Sequence, residues 1–169
     1  EGVDTKKIEQ EICAKNEEHN HEGCPGSRVM NLKKSGSEEN TPTGKIQSEL
    51  STWPIQLMLL NPHAPYLKNA ELVISADCAA FSYGDFHRRF LKGKVLVIFC
   101  PKLDSDYIEK YVEKLTVVFK ESNIKSVTLL HMEVPCCFGT VQIVQDALAN
   151  SNKNILLKEY TISLQGEIL

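Results

Sequence analysis

The 169-residue chain has room for one ordinary domain plus a tail, and its 42% hydrophobic content is that of a globular protein. A net charge of −3 offers no electrostatic footprint for nucleic acid or an anionic membrane, and no apolar run reaches the length of a membrane span, so neither is expected as a partner. Six cysteines with no basic-then-apolar leader favour a reducing compartment, and the expected location is cytoplasmic. The start at Glu1 rather than Met makes a longer parent chain an expectation.

Residues 1–45 read as a polar arm or linker. Lys6 to Lys15 suits a short helix with Ile8 and Ile12 on one side, Asn16 to Glu22 is strongly polar, and Ser35 to Gly44 has linker composition. Between the last two lies Gly23-Cys24-Pro25-Gly26, a tight turn carrying a thiol. Residues 46–169 read as an α/β domain. Trp53 to Leu60 suits a strand or extended edge segment, with Pro54 where a missing N–H does no harm. A strand over 72–76 leads to Cys78 and a helix over about 79–91, with Phe86 and Phe90 one turn apart. A strand over 94–99 leads to Cys100 and Pro101. Asp104 or Ser105 then suits the N-cap of a long helix with Tyr107, Ile108, Tyr111, Val112, Leu115, Val118 and Phe119 as its apolar stripe and Asn123 at its end. A strand over 126–132 leads to Pro135-Cys136-Cys137, a helix covers 139–149, and a last strand over 155–163 precedes a turn at Gly166 back to Ile168. Strands alternating with helices imply a three-layer, Rossmann-like α/β fold with a mostly parallel sheet.

In such a sheet the strands end on one edge, where ligands bind. Cys78, Cys100 and the Cys136/Cys137 pair all follow strands, so the fold would bring them to that edge, with Cys24 arriving from the arm. Thiolates at tetrahedral corners hold iron–sulfur clusters or structural zinc. The candidate ligands are therefore Cys24, Cys78, Cys100, Cys136 and Cys137, with His87 as an additional candidate; adjacent Cys136 and Cys137 would point apart, one binding and the other packing. The start of helix 139–149 is expected to lower the pKa of the neighbouring thiol. Buried cysteine commonly just packs, which is the competing reading for any single one of these residues. Cys13, His19, His21 and His63 read as bystanders, and Asp77 as a carboxylate near a thiol turn. No GxGxxG or GxxxxGK[ST] loop follows a strand, which disfavours a nucleotide-binding domain.

Several stretches together resemble one family: Gly23 to Arg28, Trp53 to Leu57, Asn69 to Leu72 with Ala76-Asp77-Cys78, Phe86-His87 with Phe90 to Lys94, Cys100 to Asp104, Met132 to Cys137 and Gly166 to Leu169. They look like the C-terminal region of bacterial, largely anaerobe, 4Fe-4S dicluster ferredoxin-type proteins. The resemblance runs from about Gly23 to the end. The family's N-terminal ferredoxin module with its CxxCxxCxxxCP runs is missing here, so its two clusters do not carry over, and Phe138 departs from the family's Cys-Cys-Gly-Gly pattern. The resemblance implies an iron–sulfur redox module, most simply 4Fe-4S, that exchanges electrons with a redox protein partner. Two other readings stay open: a zinc-stabilised or metal-free domain that docks a ferredoxin module, and a thiol/disulfide protein using Cys136/Cys137.

Overall fold

A computed structural model describes Val29–Asn31 and residues 47–169. A two-residue strand within the span read as arm, β1 (Met30–Asn31), pairs antiparallel with β2 (Thr52–Trp53). The remaining strands form a parallel four-stranded sheet: β3 (Glu71–Ala76), β4 (Val95–Phe99), β5 (Ser126–Met132) and β6 (Leu156–Ile162), in the order β4-β3-β5-β6. The α/β, Rossmann-like expectation holds.

The central strand β3 is the apolar run Leu-Val-Ile because it is buried on both faces, as parallel strands usually are. Ile74 lies between Val97 and Leu129 in register. On one face these residues join Tyr111, Leu115, Val118 and Phe119 of α2 (Ile108–Glu121) and Ile143, Val144 and Ala147 of α3 (Phe138–Ser151) in the larger core. On the other face, Val73, Leu96, Leu130 and Met132 meet a thinner cover: the one-turn helix α1 (Ala79–Ser82) and a π-helical turn, His87–Leu91, that inserts Phe86, Phe90 and Leu91. The chain passes from β3 to β4 in one direction and from β4 over β3 to β5 in the other. Right-handed crossovers of opposite direction lie on opposite faces, which is why α1 and α2 are separated by the sheet.

Three expectations change. The helix expected over 79–91 is broken: Tyr83 is extended (ψ 107°) and Gly84-Asp85 turns the chain before the π-helical turn. Phe86 and Phe90 nonetheless pack with ring centroids 6.2 Å apart. The strand expected over 53–60 shrinks to β2 and a single parallel bridge from Gln56 to Ile98, because Pro54 has no N–H to continue a ladder. Leu57 to Leu59 then turn away, and Lys114 Nζ of α2 donates to the Leu57 and Met58 carbonyl oxygens at 2.9 and 2.8 Å. Third, the long helix begins with a 3-10 turn, Ser105–Tyr107, and no side chain caps it. The turn at Gly166 is present, with Ile168 bridging back to Ile162.

Gly166 has φ 84°, and a Cβ there would lie 2.5 Å from the Ser82 carbonyl oxygen. The C-terminal turn can close over α1 only with glycine at this point. Gly166→Ala is expected to cost about 2 kcal/mol and lower the thermal midpoint by several degrees. An unchanged midpoint in a melting experiment would show that the turn is not packed this way.

Candidate functional site

The carboxyl ends of β4, β3 and β5 lie side by side, and each is followed by a cysteine turn. The direction of the crossovers reverses at β3, so the crevice between the β3 and β5 ends is the switch point where α/β sheets open toward ligands. Cys78 follows β3 on one side of it and Pro135-Cys136-Cys137, a 3-10 turn, follows β5 on the other. Cys100 ends β4.

The Cys100 turn is closed by Asp104. Its Oδ2 accepts from the Cys100 N–H at 3.2 Å, and its own N–H donates to the Cys100 carbonyl oxygen at 2.9 Å. Asp104 therefore holds the thiol turn instead of capping α2, since its carboxylate is engaged before the helix begins. Pro101 reaches across to the start of α3: a Cβ on Gly139 would sit 2.9 Å from Pro101 Cβ. Gly139 thus lets the Cys100 turn and the turn carrying the paired cysteines touch.

The four thiols differ in access. Cys78 and Cys136 are exposed, Cys100 is half-buried and Cys137 is buried among Val73, Ala76, Leu130 and Met132. The adjacent pair is split as expected, one outward and one inward. Burial pushes the Cys137 thiol pKa up, a backbone hydrogen bond at Met132 offsets part of this, and the nearby Cys136 and Cys78 thiols add to the rise. The expected lowering by the helix start is overridden at Cys137, because loss of solvent outweighs the helix field. Among the described residues, no three His, Cys, Asp or Glu side chains stand together as a set that could hold a metal ion. Cys24, with Cys13, His19 and His21, lies outside the described residues. His87 has a structural partner, its Nδ1 accepting from the Glu49 N–H at 3.1 Å, and His63 pairs with Glu121 in the open at 3.1 Å.

Around the thiols is a polar layer that the sequence pattern concealed. Among the described residues, Asp77 Oδ1 is buried without a hydrogen-bond partner, and the buried Tyr111 hydroxyl lies close to both Asp104 and Asp77. Burial raises the Asp77 pKa, the Asp104 carboxylate raises it further, and the Gln56 side chain pulls it down. Tyr111 had read only as a stripe residue; its hydroxyl was the one hint of a polar task. His131, in the apolar β5 run, is 1% exposed, and its Nε2 lies 3.0 Å from Glu159 Oε1 and 3.3 Å from Thr161 Oγ1, tying β5 to β6. A lone histidine inside a strand was the only sequence sign of it. Finally, each of the four parallel strands is followed within a few residues by an exposed apolar side chain: Phe81, Leu103, Phe138 and Leu164, the first 93% exposed.

Two outcomes follow from this geometry. Alkylation of the folded protein near pH 8, resolved by mass spectrometry, is expected to label Cys136 at least about tenfold faster than Cys137. Equal rates would contradict the burial of Cys137. Asp77→Asn removes a carboxylate crowded by Asp104 and supplies an amide that can donate to it, so the variant is expected to melt higher, by about 1 kcal/mol of stability at neutral pH. A lower melting temperature would mean that the Asp77 charge is compensated in the folded protein.

Comparison with known proteins agrees with the fold. A family model described as a Rossmann-like domain matches residues 64–169. An uncharacterised protein of Archaeoglobus fulgidus is 32% identical over 120 residues, which cover 71% of this chain and 83% of that protein. No solved structure matches the chain. With the model spanning every strand of the parallel sheet and the thiol turns between them, the chain belongs to the Rossmann-like domain family.

Proposed function

We propose that the chain is an iron–sulfur redox module whose cluster, most simply 4Fe-4S, is held at the carboxyl edge of the sheet by Cys78, Cys100, Cys136 and Cys24. The observation that carries this reading is the placement of three separate cysteine turns at the ends of three neighbouring parallel strands, beside the switch point. Soft thiol donors suit iron–sulfur clusters and zinc alike, and two of the three turns leave the sulfur open to an incoming group. Cys136 is the better ligand of the adjacent pair, since Cys137 is packed and its thiol is held in the neutral form by burial.

Cys24 is proposed as the fourth ligand because it precedes β1, which pairs with β2, by a short length of chain. Five residues lie between Cys24 and Met30, and the six steps along the chain reach up to about 20 Å.

A bound cluster would supply a one-electron couple. The protein's part is to orient the ligands and set their surroundings. Asp104 fixes the Cys100 turn through the backbone, Pro101 against Gly139 holds that turn to the start of α3, and Cys137 anchors the third turn by its burial. Phe81, Leu103, Phe138 and Leu164 offer apolar contact area at the same edge for a redox protein partner. The raised pKa of Cys137 weighs against a reactive Cys136/Cys137 pair. Among the described residues, no helix is long and apolar enough to cross a membrane.

The test is anaerobic purification of the full chain, followed by iron, zinc and acid-labile sulfide analysis. The expected result is about four irons and four sulfides per chain, with a visible absorption band that dithionite bleaches. Cys78→Ser, Cys100→Ser and Cys24→Ser should each lose most of the iron and sulfide, while Cys137→Ser keeps it. Stoichiometric zinc without sulfide, or full iron in the Cys78 and Cys100 variants, would overturn the proposal.

A further inference from the structure

At the opposite end of the sheet, among the described residues, the thin cover of α1 and the π-helical turn leaves a groove on the amino-terminal half of one face. Register decides what lines it. Lys94 precedes β4, Glu71 opens β3, and Thr128 pairs with Lys158 across β5 and β6, all on the face to which the π-helical turn brings Arg89. Tyr160 packs edge-on against Phe90, with centroids 5.1 Å apart, and closes the groove toward the core. The resulting cavity of about 210 Å³ is lined by three cations and one carboxylate.

In a chain of net charge −3, this groove gathers three cations against the single carboxylate of Glu71. Arg88 next door pairs with Asp85 at 2.6 Å, whereas among the described residues Arg89, Lys94 and Lys158 make no ion pair. Arg89 lies over the Phe90 ring at 5.7 Å. Lys94, half-buried, donates from Nζ to Thr128 Oγ1 at 3.5 Å, so its ammonium is steered along the groove floor. Thr128 and Tyr160 add neutral hydroxyl groups. Three cations against one carboxylate leave the groove an excess of positive charge, which an anion between them offsets. Arginine adds a planar fork that matches two oxygens of one phosphate.

We infer that this groove, between the π-helical turn and the amino ends of β3, β5 and β6, binds a phosphate group. The cavity is below the about 300 Å³ at which drug-sized ligand pockets begin, so it takes the phosphate itself, with any organic remainder outside in solvent. The site is separate from the thiol edge and from the switch-point crevice, and it needs no glycine-rich loop, because side chains rather than backbone N–H groups supply the donors.

The experiment is an amide-shift NMR titration of the full chain with inorganic phosphate at constant ionic strength, with acetate in parallel. Saturable shifts centred on Arg89, Lys94, Thr128 and Lys158 are expected, weakened about tenfold in Arg89→Gln and in Lys158→Gln. Glu71→Gln, which removes the one carboxylate, should bind more tightly and guards against a variant that merely misfolds. Glycerol phosphate distinguishes sources: tighter binding than phosphate assigns the site to a phosphorylated small molecule, and weaker binding assigns it to the free ion. Shifts that do not saturate, an equal response to acetate, or an affinity unchanged in both cation variants would overturn the inference.

Discussion

The reversal of crossover direction at β3 is the constraint on which the rest of the molecule depends. β3 sends the chain first to β4 on one side and then, over its own top, to β5 on the other. Right-handed connections therefore put α1 and the π-helical turn on one face and α2 and α3 on the other. The carboxyl ends of three adjacent strands meet where the winding reverses, the place at which α/β sheets receive ligands. A sheet wound in one direction only would have put its helices on one face and left no such place between β3 and β5.

At that edge the protein accepts local cost. Among the described residues Asp77 carries a buried oxygen without a partner, the Tyr111 hydroxyl is buried nearby, and Asp104 crowds both. Unsatisfied buried polar atoms are rare and cost of the order of 1–3 kcal/mol each. These groups gather where Asp104 ties down the Cys100 turn and Pro101 rests on Gly139, which is where a ligand-holding edge needs rigid turns. At the amino end, by contrast, three cations share a groove with one carboxylate. The two ends of the sheet thus carry different chemistry, soft thiols at one and hard cations at the other.

Much of this was written in local pattern. The β3, β4 and β5 runs are β-branched and apolar because a parallel sheet buries both faces, and the α2 stripe repeats at helical spacing, so both were legible within a residue or two. The broken helix after Cys78 was not, because Phe86 and Phe90 keep a helical spacing across a π-helical turn and periodicity cannot distinguish the two. The role of Asp104 was misjudged for a similar reason. An aspartate before a helix reads as a cap, and only the path of the chain shows its carboxylate turned back to the Cys100 N–H.

Residue type and order alone were enough to establish the parallel α/β fold, the strand-end position of Cys78, Cys100, Cys136 and Cys137, and the outward and inward split of the adjacent pair. Those features follow from short-range rules: burial pattern, alternation and steric direction along one segment. Which thiol is buried, that Pro101 meets Gly139, that Asp77, Asp104 and Tyr111 share one pocket of poor solvation, and that Arg89, Lys94 and Lys158 share a groove were decided only in three dimensions. Each depends on strand order and register, which bring together residues distant in sequence, and a single chain read from end to end carries no record of which strands become neighbours.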